Sequence, residues 1–280
     1  MLARLCAPSR SMSGLPGTYS MRPGHRTLRR PAAIVFGGRR FLSGEARRAA
    51  AMAVIERAAQ RAGAPLLRGG RDVTYTWAPV QGPGIRLAVR TPHAAYDDLF
   101  LPLLGEHQAV NAATAIAAAE LAGPLAERLT LERVRGGLRR VHWPGRMELI
   151  PGRPDMLLDG AHNRASMERL MEGLAQHFPG RPLVFVFASA ADKDIEGMLA
   201  VLAEMGGGAP VVFTRTNNPR AAAPADLAAR FTRRGGRGAE TAPDSRAALA
   251  AARRRTPEGG MAVVCGSLYL VGEVKTHLRF

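Results

Sequence analysis

The sequence has 280 residues, 46% of them hydrophobic, which is enough to bury the core of one large domain or of one domain and part of another. Its formal charge is +16, but almost all the cations are arginines spread along the whole chain, so a compositional bias explains the charge better than a nucleic-acid-binding patch does. No apolar run is long enough to cross a membrane, and Cys6 and Cys265 are too far apart for a metal-binding motif, so we expect a cytoplasmic protein with reduced thiols.

Residues 1–30 differ in kind from the rest of the chain. They combine arginines, serines, prolines and glycines, and no acidic residue occurs before Glu45. This composition is typical of a transit peptide or of a disordered leader, and an aberrant start on a gene fragment would look the same. A secretory signal is disfavoured because the segment has no continuous apolar core.

Regular structure is predicted from residue 31 onward. Apolar periodicity and glycine breaks predict a strand at 32–36, a helix at 44–62, a short strand at 64–67 and a hairpin of strands 72–77 and 85–89. Alanine-rich and amphipathic patterns then predict helices from about 107 to 122 and from 131 to 140. His107 and Asn111 are four residues apart on one helix face, where they either bind a ligand or only cap the helix start.

The break at Trp143-Pro144-Gly145 predicts a domain boundary, and strands and helices alternate regularly after it. The predicted strands are 147–150, 156–159, 183–187, 211–214 and 262–265. The predicted helices are 164–177, 195–205, 224–233, 245–254 and 267–277. Such alternation is typical of an α/β fold with a mainly parallel, Rossmann-like sheet that is covered on both faces.

Two of the predicted strands end in polar residues that a helix follows at once. Asp159 ends one strand before a glycine turn, and Ser267 follows Gly266 in the same strand–turn–helix geometry. In open α/β sheets, ligands bind in the crevice at the carboxyl ends of the strands, and helix N-termini attract anions. We therefore expect both residues to face one crevice, with Asp159 either accepting from a ribose hydroxyl or serving only as a turn residue.

Basic and amide side chains near these strand ends are the candidate anion contacts. Arg146 follows a rigid Pro-Gly corner, where its guanidinium either grips phosphate oxygens or forms a surface ion pair. His162 and Asn163 either bind a carboxylate or phosphate or, in the case of Asn163, cap the next helix. Lys193 and Arg220 lie in turns after two further strands, and both are candidates for the same crevice.

Five motifs follow one another along the chain: Leu103-Leu104-Gly105-Glu106-His107-Gln108-x-x-Asn111-Ala112, Trp143-Pro144-Gly145-Arg146-x-Glu148, Asp159-Gly160-Ala161-His162-Asn163, Asp192-Lys193-Asp194 and Gly266-Ser267-Leu268-Tyr269-Leu270-Val271-Gly272-Glu273-Val274. In this order they resemble the folylpolyglutamate synthase/dihydrofolate synthase family of Mur-type ligases. Each motif alone is weak. The resemblance rests on all five and runs from about residue 31 to the C-terminus.

The resemblance implies an ATP-dependent amide ligase that joins L-glutamate to dihydropteroate or to a folate. In that family ATP phosphorylates the carboxylate, and the glutamate amine attacks the acyl phosphate through a tetrahedral intermediate. Carried over by motif, the residues that contact the adenine, phosphates and ribose of ATP would be Asn111, Arg146 and Asp159. The residues near the incoming glutamate would be His162, Ser267 and Arg220, the last by resemblance to an Asn-Pro-Arg segment of related peptidoglycan-precursor ligases.

The chain departs from the family pattern upstream. It has no lysine before Lys193, so neither the lysine of a P-loop nor the family's carbamylated lysine is present, and Gly37-Gly38-Arg39-Arg40 is no substitute. The resemblance implies a disordered or aberrant leader at 1–30, the truncated end of a P-loop-type central ATPase domain at 31–141 and the C-terminal domain at 142–280. The Mg2+ ligands would belong to the missing part, so we expect no catalytic and no metal-binding residue here.

The sequence leaves three hypotheses for function. The first is the C-terminal portion of a folate ligase that lacks the P-loop and is inactive alone, either as a truncated gene product or as one half of a split enzyme whose N-terminal half is separately encoded. The second is a non-catalytic module that binds nucleotide or folate. The third is a nucleic-acid-binding protein, which the charge alone suggests and which the spread of the arginines disfavours.

Overall fold

A computed structural model of the protein describes residues 33–35 and 45–278. The predicted leader, Cys6 and the glycine break at 37–38 lie outside these described residues. Contacts divide the chain into two units. The first takes in the described residues of Met1–Tyr75 with Val89–Asp97 and Val110–Val134, and the second comprises Thr76–Ala88, Asp98–Ala109 and Arg135–Phe280. The predicted boundary at residue 142 stays a prediction.

The elements before residue 140 mix strands and helices. In chain order they are β1 Ala33–Val35, α1 Glu45–Ala62, β2 Leu66–Arg68, β3 Thr74–Pro79, β4 Ile85–Arg90, β5 Ala95–Leu101, α2 Glu106–Glu120, a 3-10 helix Gly123–Arg128 and α3 Leu131–Arg139. β1 and β2 pair in parallel, and β3, β4 and β5 form a sheet in that order. The sequence pattern does not predict β5, because Asp97 and Asp98 interrupt its apolar alternation.

The elements after residue 147 alternate between strand and helix. They are β6 Glu148–Ile150, β7 Asp155–Leu158, α4 Arg164–His177, β8 Leu183–Phe187, α5 Ile195–Met205, β9 Val211–Phe213, α6 Pro224–Arg233, β10 Ala239–Thr241, α7 Ser245–Arg255, β11 Met261–Cys265 and α8 Leu268–His277. Four of the helices begin at a side chain that accepts a hydrogen bond from a backbone N–H of the first turn, namely Asn163, Asp194, Asp244 and Ser267. Local cap chemistry therefore fixes these helix starts.

The strands of this second region form one six-stranded sheet with the order β10-β9-β8-β11-β7-β6. All neighbours are parallel except β6, which runs antiparallel to β7. The predicted fold class, α/β with a mainly parallel sheet, is confirmed. The three-residue edge strand β10 escapes prediction because Ala-Glu-Thr has no apolar run.

Both faces of this sheet are buried. The side chains of Phe185, Phe187 and Phe213 lie in the core that α4, α5 and α6 cover. Val184 and Val186 lie in the opposite core, under α7 and α8. Successive residues of a strand alternate between the two cores, as a side-chain period of two requires. Burial on both faces explains why the central strands read as continuous apolar runs.

Within the described ranges, no helix is both long enough and apolar enough to cross a membrane. The longest, α1, has 18 residues and carries arginines along its length.

We expect Gly266→Ala to lower the free energy of unfolding by about 2–4 kcal/mol. Gly266 has a φ of +94°, and a β-carbon there would lie 2.3 Å from the carbonyl oxygen of Ala188. Urea unfolding followed by circular dichroism measures the loss. Gly272→Ala in α8 is the matched control, since a β-carbon at Gly272 meets nothing within 4 Å and alanine favours a helix. Equal stability of the two variants would contradict this account.

Candidate ligand site at the carboxyl edge of the sheet

The chain reverses its winding between β7 and β11. These strands are parallel neighbours, yet α4 follows β7 onto one face of the sheet and α8 follows β11 onto the other. Such a switch point opens a crevice at the carboxyl ends of the two strands. Asp159 and Ser267 stand directly after these strand ends, so the structure places both at this crevice.

The turn that carries Arg146 has an unusual backbone. Gly145 and Met147, on either side of it, have φ values of +67° and +45°. The left-handed region is costly for a side chain as large as methionine, and such conformations persist only where neighbouring contacts hold them. Two carboxylates hold this turn: Glu148 Oε2 accepts from the Gly145 N–H at 2.7 Å, and Asp159 Oδ2 accepts from the Met147 N–H at 2.8 Å.

Asp159 is nearly fully buried, with 7% of its surface exposed. Its second carboxylate oxygen, Oδ1, accepts from the Ala161 N–H at 2.7 Å. Burial raises the pKa of Asp159, while the N–H groups of Met147 and Ala161 and the charge of Arg146 act in the opposite direction. The carboxylate thus ties the end of β7 to the turn before β6, a role that the sequence pattern alone does not indicate.

The guanidinium of Arg146 lies over the ring of Trp143, with its central carbon 5.6 Å from the ring centroid. Arg146 is partly buried, and no carboxylate among residues 33–35 and 45–278 forms an ion pair with it. The alternative of a surface ion pair is therefore not what the structure shows. The guanidinium N–H groups stay available to an anion from outside the chain.

Close packing brings Arg146 to both strand ends. The Gly160 N–H donates to the Gly145 carbonyl at 2.8 Å, and a β-carbon at Gly160 would lie 2.1 Å from Leu268 Cδ2 and 3.5 Å from Arg146 Nη1. Leu268 directly follows Ser267. The segments that carry Arg146, Asp159 and Ser267 therefore pack against one another at the sheet edge.

The ring of His162 is held by one hydrogen bond within the turn after β7. Its Nδ1 lies 2.8 Å from the Gly160 carbonyl oxygen, a contact that only a protonated Nδ1 can satisfy. In the neutral ring Nε2 is then the acceptor. The neighbouring Asn163 caps α4 and shares a reciprocal capping box with Ser166, so the capping interpretation holds for this asparagine.

Ser267 combines two roles. Its hydroxyl oxygen accepts from the Tyr269 N–H at 3.1 Å and so caps α8, and the residue is 9% exposed. The cap uses the oxygen as an acceptor, which leaves the hydroxyl proton for a second partner. Ser267 therefore offers a donor at the start of a helix, where an anion is also favoured by the helix dipole.

Arg220 lies farther along the same edge, in the loop after β9. Its Nη1 donates to Asp192 Oδ2 at 2.8 Å, and its carbonyl accepts from the Ala191 N–H at 2.7 Å, so the loops after β8 and β9 are joined. Both side chains of this ion pair are more than 45% exposed. Unlike Arg146, this guanidinium already has a carboxylate partner.

The two residues of the predicted helix motif fall in different units. Asn111 belongs to the first unit, on α2, where it is exposed and makes an interaction of its own. His107 belongs to the second unit, and its Nε2 lies 3.1 Å from the side-chain nitrogen of Gln108. The predicted adenine contact of Asn111 stays a prediction.

Sequence reasoning misses the side chains that support this edge. Lys275 of α8 binds Glu148, and Glu273 of α8 accepts from the Asn217 N–H at 2.8 Å. These pairs are 127 and 56 residues apart in the chain, so no local spacing reveals them. The one available signal is that Lys275 is one of only two lysines, with Lys193, in an arginine-rich chain.

Residues 145–268 match the Mur ligase, glutamate ligase domain. The matched range begins at the glycine of the Arg146 turn and ends just after Ser267. The resemblance to the folylpolyglutamate synthase/dihydrofolate synthase family over the C-terminal portion of the chain is therefore confirmed, and residues 145–268 are similar to the Mur ligase, glutamate ligase domain.

Named relatives agree with this assignment. A Bacillus subtilis dihydrofolate synthase/folylpolyglutamate synthase is 40% identical over 96 residues, which are 34% of this chain and 22% of that protein. Mycobacterium tuberculosis folylpolyglutamate synthase complexed with ADP has a TM-score of 0.78 at 29% identity, covering 90% of this chain and 57% of that one. E. coli FolC in complex with DHPP and ADP has a TM-score of 0.67 at 26% identity, covering 81% and 50%. The chain spans about half the length of these solved structures.

We expect the protein to lose stability as the pH falls from 6.5 to 4, in part through His107. Burial, helped by the charges of Arg169 and Arg146, lowers the pKa of His107 from 6.5 to about 4. In this pH range the unfolded chain binds a proton at His107 that the folded chain does not. The free energy of unfolding therefore falls by up to about 3 kcal/mol as the pH drops to 4, and the contribution of His107 to stability is complete above pH 6.5.

Urea unfolding at a series of pH values measures this loss, with His107→Gln as the test variant and His93→Gln, at an exposed histidine, as the control. The decrease in the free energy of unfolding between pH 6.5 and pH 4 should be smaller in His107→Gln and unchanged in His93→Gln. Parallel pH profiles of His107→Gln and the unmutated protein would refute the assignment.

Proposed function

We propose that this chain is the C-terminal portion of an ATP-dependent ligase that adds L-glutamate to dihydropteroate or to a folate. One observation carries the proposal. Arg146 has no carboxylate partner among the described residues, and the carboxylates of Glu148 and Asp159 hold its turn beside the ends of β7 and β11. The chain spans only part of its relatives, so activity, substrates and partners are inferences from similarity and site chemistry.

ATP, when bound, supplies the phosphoryl group that activates the substrate carboxylate. In our proposal Arg146 contacts its phosphates, Asp159 its ribose and Asn111 its adenine. The guanidinium N–H groups of Arg146, which have no carboxylate partner among the described residues, fit phosphate oxygens. Asp159 accepts one backbone N–H on each oxygen, and a carboxylate oxygen has a further lone pair for a hydroxyl.

We assign L-glutamate to His162, Ser267 and Arg220. Ser267 can donate to a carboxylate, and Arg220 can bind one by exchanging Asp192 for it. In the neutral ring of His162, with Nδ1 donating to the Gly160 carbonyl, Nε2 is an acceptor and so suits an ammonium or amine hydrogen. Fixed donors and acceptors at one edge orient the amine toward the activated carboxyl carbon, and such positioning lowers the barrier to amide formation.

The remaining parts of the activity are proposed to lie outside the described residues. Among residues 33–35 and 45–278 no three histidine, cysteine, aspartate or glutamate side chains cluster as metal ligands, so no step is assigned to Mg2+ here. We propose that Mg2+, the P-loop and the carbamylated lysine belong to a separately encoded N-terminal half, and that the complex works in the cytoplasm.

A second candidate is a non-catalytic module that binds nucleotide or folate. The observation that favours it is the absence of any lysine before Lys193, since P-loop chemistry requires a lysine on the phosphates. Both candidates need the Arg146 site. They differ in whether glutamate-dependent ADP formation appears when a P-loop half is supplied.

We expect Arg146→Ala to weaken binding of AMP-PNP, a non-hydrolysable ATP analogue, by at least tenfold. Charge-assisted hydrogen bonds to phosphate contribute about 1.5–3 kcal/mol, and no other described cation replaces Arg146 in its turn. Isothermal titration calorimetry on the full chain measures the affinity. Arg255→Ala, which removes an exposed arginine paired with Glu240, is the control. Absence of heat with the unmutated chain would remove the first candidate function and the nucleotide-binding form of the second.

We expect Arg220→Ala to weaken L-glutamate binding by at least tenfold and to leave AMP-PNP affinity within twofold of the unmutated value. The physical reason is that Arg220 lies in the loop after β9, which is two strands away from β11 in the sheet. No described hydrogen bond joins Arg146 to this loop. Glutamate titration in the presence of AMP-PNP measures this separation. A variant that loses both affinities together would argue against distinct subsites.

A further inference from the structure

Helix α8 reaches back to the Arg146 turn through one ion pair. Lys275 Nζ donates to both carboxylate oxygens of Glu148, at 2.5 and 2.8 Å, and Glu148 Oε2 also accepts from the Gly145 N–H at 2.7 Å. The side chains of Lys275 and Glu148 are 23% and 16% exposed. A continuous line of contacts therefore joins α8 to the residue that precedes Arg146.

We propose that Lys275 is a positioning residue for Arg146, acting through Glu148 and the backbone of Gly145. The proposal rests on the proposed function, because the guanidinium that Lys275 positions is the one assigned to the ATP phosphates. Lys275 itself contacts neither the crevice residues nor Arg146 in any described hydrogen bond or ion pair.

The turn needs such support. Gly145 and Met147 both have positive φ, and the turn is held by Asp159 on one side and by Glu148 on the other. Burial alone would raise the pKa of Glu148, but Lys275 and the Gly145 N–H outweigh it and lower that pKa. Without Lys275, Glu148 would be a partly buried carboxylate without its cation, so it would turn toward water and release Gly145.

The chemistry of this position selects a cation. An ammonium group has three donors and can satisfy both oxygens of Glu148 while Oε2 still accepts from the turn. Methionine has a similar length but no donor, and arginine keeps the charge and the donors. The pair Lys275→Met and Lys275→Arg therefore separates loss of charge from loss of side-chain volume.

The same helix supplies an internal comparison. Glu273, two residues before Lys275, accepts from the Asn217 N–H at 2.8 Å and so supports the loop that carries Arg220. Each of the two side chains supports one loop. Loss of Lys275 should disturb the nucleotide side of the crevice, whereas Glu273→Gln should disturb only the loop after β9.

Trp143 reports the position of Arg146 without any ligand, because the guanidinium covers its ring and 41% of the tryptophan is exposed. The chain has two tryptophans, so all variants carry Trp77→Phe. We expect acrylamide quenching of Trp143, relative to the Trp77→Phe parent, to rise about twofold in Lys275→Met, to rise in Glu148→Gln, and to stay at the parent value in Lys275→Arg and in Glu273→Gln. Glu148→Gln also decides the question if Lys275→Met does not fold.

Arg181→Met is the control for a merely structural effect. Arg181 pairs with Asp155 at 2.7 Å with exposures of 23% and 26%, which match those of the Lys275–Glu148 pair. Arg181→Met should lower stability and leave Trp143 quenching unchanged. Equal rises in Lys275→Met and Arg181→Met, or no rise in Lys275→Met, would overturn the proposal.

AMP-PNP titration completes the test. We expect Lys275→Met to weaken AMP-PNP binding about tenfold and Lys275→Arg to restore it. If the unmutated chain binds no AMP-PNP, the proposed function fails, while the quenching of ligand-free Trp143 still decides whether Lys275 positions Arg146. If AMP-PNP binds equally to the unmutated chain and to Lys275→Met, the positioning role is refuted and the proposed function stands.

Discussion

The carboxylate of Asp159 is the interaction on which the candidate site depends. One oxygen accepts from the Ala161 N–H in the turn after β7, and the other accepts from the Met147 N–H in the turn before β6. A single buried carboxylate therefore joins the segment after β7 to the segment before its antiparallel neighbour β6. Removing water from an ionised carboxylate is costly and raises the pKa of Asp159, and two backbone N–H groups with a nearby guanidinium offset part of that cost. The position of Arg146 follows from this bond.

Helix α8 extends the same arrangement across the sheet edge. Its first turn packs against Gly160 through Leu268, its cap is Ser267, and its last turns hold Glu148 and the loop at Asn217. The same helix therefore supports both the turn of Arg146, which we assign to nucleotide, and the loop of Arg220, which we assign to the amino acid. A fixed separation between two substrate-binding groups is what a bimolecular condensation requires of a protein surface.

Motifs and periodicity predict much of this architecture. The helix caps, the continuous apolar strands and the glycine turns at strand ends are local signals, and the parallel sheet follows from their alternation. β5 and β10 escape because two aspartates and a short edge sequence remove the pattern. The contact of Lys275 with Glu148 could not be predicted for another reason. The direction of α8 across the sheet edge depends on long-range packing that no short segment of the sequence encodes. The ligand assignments of all six residues stay predictions, namely Asn111, Arg146, Asp159, His162, Ser267 and Arg220.

The ion pair between Arg220 and Asp192 implies that anion binding at Arg220 and anion binding at Arg146 depend differently on salt concentration. An anion that binds Arg146 adds a new attraction between opposite charges, which counter-ions screen. A carboxylate that binds Arg220 instead exchanges one carboxylate for another, so the number of charge pairs in the loop is unchanged. The phosphate binding proposed for Arg146 should therefore weaken with ionic strength, while the amino acid binding proposed for Arg220 should be nearly insensitive to it.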